Sequence, residues 1–171
     1  MATASVPAVP TTKLDTDQRE AVNMAMLTAW GVYLGLGGLP ALASVIGIWT
    51  SLLAETSSPE VNMWFMLASC AWLTFGVPAA LLFRRSAFSE FYKGKPVSPA
   101  NFLKGSIPLW VVLVTGGLIA QLGWIVSGTP VVSGFIAACA LIVFLVFYPT
   151  GVAMLHPVGG HDDAAVYEEP A

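Results

Sequence analysis

Arg84-Arg85-Ser86-Ala87-Phe88-Ser89-Glu90-Phe91-Tyr92-Lys93-Gly94-Lys95 is the hydrophilic interruption on which the fold turns. With Lys104 it holds five of the chain's seven basic residues, while the long stretches on either side carry no charge at all. A soluble domain covers its surface with roughly a quarter of its residues charged. Here 10% are charged and 56% are hydrophobic, so the chain cannot present a wet surface all round. Lipid must serve as its solvent, and the basic stretch reads as a loop between membrane-spanning helices.

Working outward, Ala21–Leu53, Val61–Phe83 and Gly105–Leu155 are free of charged residues. A span needs about 20 residues. Ala21–Leu53 therefore exceeds one span, and Gly105–Leu155 holds two, divided at Ser127-Gly128-Thr129-Pro130. Trp30 and Trp49 stand about 28 Å apart on a helix rising roughly 1.5 Å per residue. That separation matches the hydrocarbon thickness, and tryptophan favours both interfaces. The sequence thus predicts spans over 30–51, 61–83, 107–127 and 131–155, with a basic loop over 84–106. Ser58-Pro59, Ser106-Ile107-Pro108 and Thr129-Pro130 supply cap-then-proline starts for the last three. Pro40 should bend the first span, and Pro78 and Pro149 lie late in the second and fourth.

The expected fold is an all-α integral membrane protein, a four-transmembrane-helix bundle made of two antiparallel hairpins. Residues 1–20 form an N-terminal arm that lacks the basic start and short apolar core of a signal peptide, so its retention is expected. Residues 21–156 form the membrane domain, and 157–171 an acidic tail. With both termini inside, all seven lysines and arginines face the cytoplasm and neither outer turn carries one, as the positive-inside rule requires. The expected location is the bacterial cytoplasmic (inner) membrane.

The two halves resemble each other weakly. Trp30 precedes Gly37-Gly38 and Trp110 precedes Gly116-Gly117, and the returning helices carry Cys70-Ala71 with Pro78 and Cys139-Ala140 with Pro149. A duplication would place a pseudo-two-fold axis along the membrane normal. Chance matches among common membrane residues are the simpler explanation.

Candidate chemistry is sparse. Small residues recur at four-residue spacing in Gly31/Gly35, Ala43/Gly47, Gly76/Ala80, Gly123/Ser127 and Gly134/Ala138, which lets helix backbones approach closely in lipid. Packing within the bundle is the first reading, and a face for another membrane subunit the second. Gln121 is the costliest polar residue in any span. Interhelical hydrogen bonding is its common use, and contact with a quinone or pigment carbonyl the alternative. His156, at one end of the fourth span, is a candidate axial ligand for haem or chlorophyll, but a lone histidine is a weak signal. Arg84, Arg85, Phe88, Phe91, Tyr92, Lys93 and Lys95 suit a segment in the headgroup layer that docks anionic lipid or a partner. Cys70 and Cys139 form no CxxC pair and read as small apolar residues, with the option that they face each other.

No span holds a nucleophile with a base, and no charge marks a proton relay, which argues against an enzyme. The expected function is a non-catalytic accessory or assembly subunit of a larger membrane complex, respiratory or photosynthetic. The alternative is a small oligomeric channel or carrier for an uncharged or lipid-like solute. No cofactor is predicted, bound lipid is expected, and the partners are the bilayer and other membrane subunits, with no nucleic acid.

Overall fold

The computed structural model describes residues 16–53, 59–128 and 131–155. The described residues form helices and their connections, with no strand among them. Helix α1 covers Thr16–Leu53, α2 Pro59–Ala87, α3 Pro99–Ser127, α4 Val131–Val146 and the short α5 Val152–Leu155, with a single 3-10 turn at Phe91–Lys93 between α2 and α3. Three of these helices, α1, α2 and α3, are long and apolar enough to cross a membrane.

Helix α3 is the axis of the fold. It packs along α1, α2 and α4, whereas α1 and α2, though consecutive, barely meet. Half of α3's most apolar stretch is buried inside the protein, against 17% for α1 and 11% for α2. The outer helices therefore turn most of their apolar surface away from the chain, with Phe75 at 76% and Phe135 at 70% exposure. In water such a surface would be untenable, but lipid tails solvate it at no cost.

Absent side chains explain why neighbours reach α3 so closely. A Cβ on Gly116 would run into the side chain of Leu73 of α2. One on Gly123 would lie 2.6 Å from the Phe65 Cβ, and one on Gly105 2.7 Å from the Phe88 ring. Side chains then tie the helices together. The Ser69 hydroxyl donates to the Gly116 carbonyl at 2.7 Å, the Trp72 indole to the Val112 carbonyl at 3.1 Å, and the Trp124 indole to the Ser51 hydroxyl at 2.6 Å. Ser133 of α4 donates to Asn62 of α2.

Several boundaries differ from the sequence reading. The third helix begins at Pro99, not Ile107, because Ser98 caps it: its hydroxyl accepts from the Asn101 N–H at 3.3 Å with Pro99 in the first turn. Pro108 is consequently inside the helix. Helix α2 continues through Arg84 and Arg85 to Ala87, its last turn carrying the two cations that suit a helix carbonyl end. The expected loop over 84–106 thus shrinks to the connection 88–98.

The helix expected over 131–155 stops at Val146. Proline at 149 lacks an N–H and disfavours helical backbone at Tyr148. Gly151 then adopts a left-handed φ of 69° before α5 resumes. Helix α4 is 16 residues long, about 24 Å at roughly 1.5 Å per residue, against about 30 Å of hydrocarbon. Helix α1 stays helical through Pro40. The weak resemblance of the two halves is only partly matched in packing. Gly116 and Gly117 are both buried on the central helix, whereas on α1 Gly37 meets the Phe144 ring and Gly38 faces open space.

Candidate functional site

The break in α4 creates the most organised polar cluster of the protein. A helix end leaves its last carbonyls without intrahelical donors. The Tyr33 hydroxyl of α1 donates to the Phe144 carbonyl at 3.1 Å, and the Trp110 indole of α3 donates to the Phe147 carbonyl at 2.7 Å. The rings pack as they cap. Tyr33 stacks on Phe144 with centroids 4.3 Å apart and planes 3° from parallel, and meets Trp110 edge-on at 5.3 Å. Helices α1 and α3 are thereby both fastened to the carbonyl end of α4, one at its last turn and one at the residue just beyond it.

Next to this cluster lies the basic end of the fold. The Arg84 guanidinium sits over the Phe88 ring at 5.0 Å and over the Phe147 ring at 5.2 Å. Arg85 lies 5.9 Å from the Tyr92 ring. The connection itself is closely hydrogen-bonded: the Gly94 N–H reaches the Phe91 carbonyl, the Lys95 N–H reaches the Glu90 carbonyl, and the Val97 N–H reaches the Ala153 carbonyl of α5 at 2.8 Å. Lys93 pairs with Glu90 at 3.6 Å, both side chains open to the surroundings. Tyr92, Lys93 and Lys95 are exposed, and Phe91 is half-buried. Phe88 is buried beneath the gap left by Gly105 and beside Phe102, so it anchors the connection to α3 and presents nothing to a partner.

Gln121 forms the second polar feature, on the seam between α3 and α1. Its Nε2 donates to the Pro40 carbonyl at 3.0 Å and to the Ser44 hydroxyl at 2.8 Å. Ser44 in turn donates to the Pro40 carbonyl at 2.8 Å. Interhelical bonding is thus the observed use of this side chain. Its Oε1 is the one buried side-chain polar atom among the described residues without a partner. A small void of about 10 Å³ lies beside Pro40, Gly117, Ala140 and Phe144, lined almost wholly by apolar groups.

The small-residue pairs divide in two. Gly47 packs on the Trp124 ring, Gly76 on Val112, and Gly123 on Phe65, while Ala80 and Ser127 are buried with them and Ala43 is half-buried. Gly31, Gly35 and Gly134 have nothing within 4 Å of a built Cβ, and Ala138 is exposed. Among the described residues these last two pairs have no packing partner, unlike the pairs that the first reading fits. Cys70 and Cys139 are both free and exposed, so they are not partners across a helix interface. His156 lies outside the described residues.

No group of three or more His, Cys, Asp or Glu gathers among the described residues. An open groove of about 580 Å³, lined mostly by apolar surface, runs over Ala68, Ala71, Trp72, Phe75, Gly76 and Ile119. The capping pair Tyr33 and Trp110 escaped the sequence reading. Pro149 was the signal that could have found them, since a proline in a greasy helix frees carbonyls that something must satisfy. Comparison with protein-family models, with curated proteins and with solved structures finds no match to this chain.

Proposed function

We propose that the chain is a non-catalytic accessory or assembly subunit of a larger bacterial membrane complex, of the respiratory or photosynthetic kind. It crosses the cytoplasmic membrane four times, with both termini and the 88–98 connection inside. Helix α4 and the segment through Leu155 together make the fourth crossing; in its non-helical residues 147–151, Pro149 and Gly151 are buried while Tyr148 and Thr150 are exposed. Irregular backbone that is not covered by protein belongs at the interface and not at the hydrocarbon centre, so this stretch marks the cytoplasmic end of the crossing.

One observation carries the reading. The buried side chains of Tyr33, Ser69, Trp110 and Gln121 hold the helices to each other, while two small-residue faces, Gly31/Gly35 on α1 and Gly134/Ala138 on α4, open outward among the described residues. Small residues on an outer face let another helix approach. Nothing in the spans offers a nucleophile and base, which supports a structural and not a catalytic role.

The unpartnered Gln121 Oε1 favours a second reading, an oligomeric channel or carrier for an uncharged or lipid-like solute. The two separate on purification of a tagged copy from its native host in mild detergent. Larger membrane proteins that co-elute in fixed ratio are expected for a subunit. A homogeneous homo-oligomer, with solute flux in liposomes that vanishes in Gln121→Leu, would replace that reading with the carrier. Visible absorbance of the same material tests a haem or pigment at His156, and a colourless sample that binds no pigment removes that role.

A further inference from the structure

The side chain of Arg84 has no acidic neighbour among the described residues. Aromatic rings, Phe88 and Phe147, take up its surroundings, but rings accept none of its hydrogen bonds in the ordinary sense, and no ion pair or hydrogen bond of its guanidinium occurs among the described residues. A guanidinium carries five N–H donors in a planar fork matched to two oxygens of a phosphate. Arg85 stands beside it over the exposed Tyr92 ring. Lys95 and Lys104 are exposed at the same end. The only acid between residues 84 and 104 is Glu90, and Lys93 already occupies it.

Depth decides what such a group would meet. The uncharged part of α2, Val61–Phe83, rises about 34 Å at roughly 1.5 Å per residue, slightly more than a hydrocarbon core of about 30 Å. Arg84 follows at once, so it stands at the level of the headgroup phosphates. The carbonyl end of α2 disfavours an anion by itself. Binding there must come from the two arginines, and the rings contribute by holding Arg84 in place before a ligand arrives.

We infer that Arg84 and Arg85 form a binding site for the phosphate of an anionic phospholipid of the cytoplasmic leaflet, phosphatidylglycerol-like in its single net charge. The chemistry recognised is a phosphodiester oxyanion pair. The lipid, and not free phosphate, is the occupant, because the acyl chains lie along the exposed apolar flank of α2 that continues from the site. This site is independent of whether the protein is a subunit or a carrier.

The test uses the full chain in nanodiscs of phosphatidylcholine with about 30% phosphatidylglycerol, followed by native mass spectrometry of the lipid retained. Wild type should keep phosphatidylglycerol over phosphatidylcholine. Each of Arg84→Gln and Arg85→Gln should lower that preference about fivefold, the size of one basic residue's attraction to an anionic surface. Arg84→Lys, which keeps the charge and the fold but not the fork, should fall between wild type and Arg84→Gln. Lys93→Gln should change little, because that lysine is spent on Glu90. An equal loss in Lys93→Gln and Arg84→Gln would overturn the proposal in favour of diffuse surface charge. So would unchanged preference in Arg84→Lys and Arg85→Gln together, which also covers the case in which Arg84→Gln does not fold. Displacement of the lipid by millimolar inorganic phosphate would show a free-phosphate site and overturn the assignment to lipid.

Discussion

The Tyr33 hydroxyl donates to the Phe144 carbonyl at 3.1 Å while the two rings stack 4.3 Å apart, so one residue of α1 both caps and covers the frayed end of α4. The two contributions separate by mutation. Tyr33→Phe removes only the hydroxyl and should cost about 0.6 kcal/mol and at most about 1.7, the range for single hydrogen bonds between membrane helices. Tyr33→Ala also removes the ring from a buried site and should cost about 3–5 kcal/mol, as loss of a core aromatic does. Unfolding in mixed micelles with increasing SDS measures both. Equal losses in the two variants would mean that the stacking contributes nothing.

The glycines of α1 and α3 make opposite predictions from the same spacing. Gly116→Ala puts a methyl into the Leu73 side chain and should destabilise by about 1–3 kcal/mol, as overpacking does. Leu73→Ala in the same chain should recover most of that loss by vacating the space. Gly31→Ala meets nothing and should leave stability unchanged or slightly raised, since alanine suits a helix better than glycine. Gly31→Leu with Gly35→Leu should leave the isolated protein folded yet lower the recovery of co-purifying subunits. Intact recovery would remove that face from the proposed interface.

These glycines also mark what was legible in the sequence. The uncharged runs and the clustered cations around Arg84 disclosed helices long and apolar enough to cross a membrane and the connection between α2 and α3, because hydrocarbon penalises charge. The start of α3 was ambiguous: Ser98-Pro99 and Ser106-Ile107-Pro108 present the same cap signature, and only the folded backbone shows which serine accepts the N–H. Lys104, counted with the basic loop, falls inside α3, where a lysine near a helix end reaches the interface along its own stem. The central place of α3 was hidden for a more general reason. In lipid, inner and outer helices are equally apolar, so hydropathy carries no sign of burial. Gly31/Gly35 and Gly123/Ser127 have identical spacing and opposite orientations, which neighbours decide and sequence periodicity does not.

Gln121 sits where gain and loss nearly balance. Gln121→Leu forfeits the bonds to the Pro40 carbonyl and Ser44, but it also removes the unpartnered Oε1. Ser44 still donates to Pro40, so no buried hydroxyl is stranded. The net change in stability should stay within about 1 kcal/mol. Gln121→Glu keeps the shape and should cost about 3 kcal/mol if the carboxylate ionises at membrane depth. Unfolding at neutral pH, compared with unfolding at a pH low enough to protonate the carboxyl, isolates that charge: the deficit should shrink as pH falls, because the burial penalty falls only on the ionised form.

The orientation of the chain rests on lysine and arginine, and the connection 88–98 offers a direct measurement. Lys95 is exposed and adjoins the hydrogen-bonded turn at Gly94, so Lys95→Cys should disturb little. In a background with Cys70 and Cys139 changed to alanine, a charged maleimide should label the thiol at position 95 in inside-out vesicles and not in intact cells. The native cysteines supply the internal control. Both are exposed on the protein yet lie within uncharged helix, where lipid excludes a charged reagent. They should therefore resist labelling in membranes of either orientation and react once SDS strips the lipid away. Labelling of the Lys95→Cys variant from outside intact cells would invert the orientation, and ready labelling of Cys70 in sealed membranes would place α2 outside the hydrocarbon altogether.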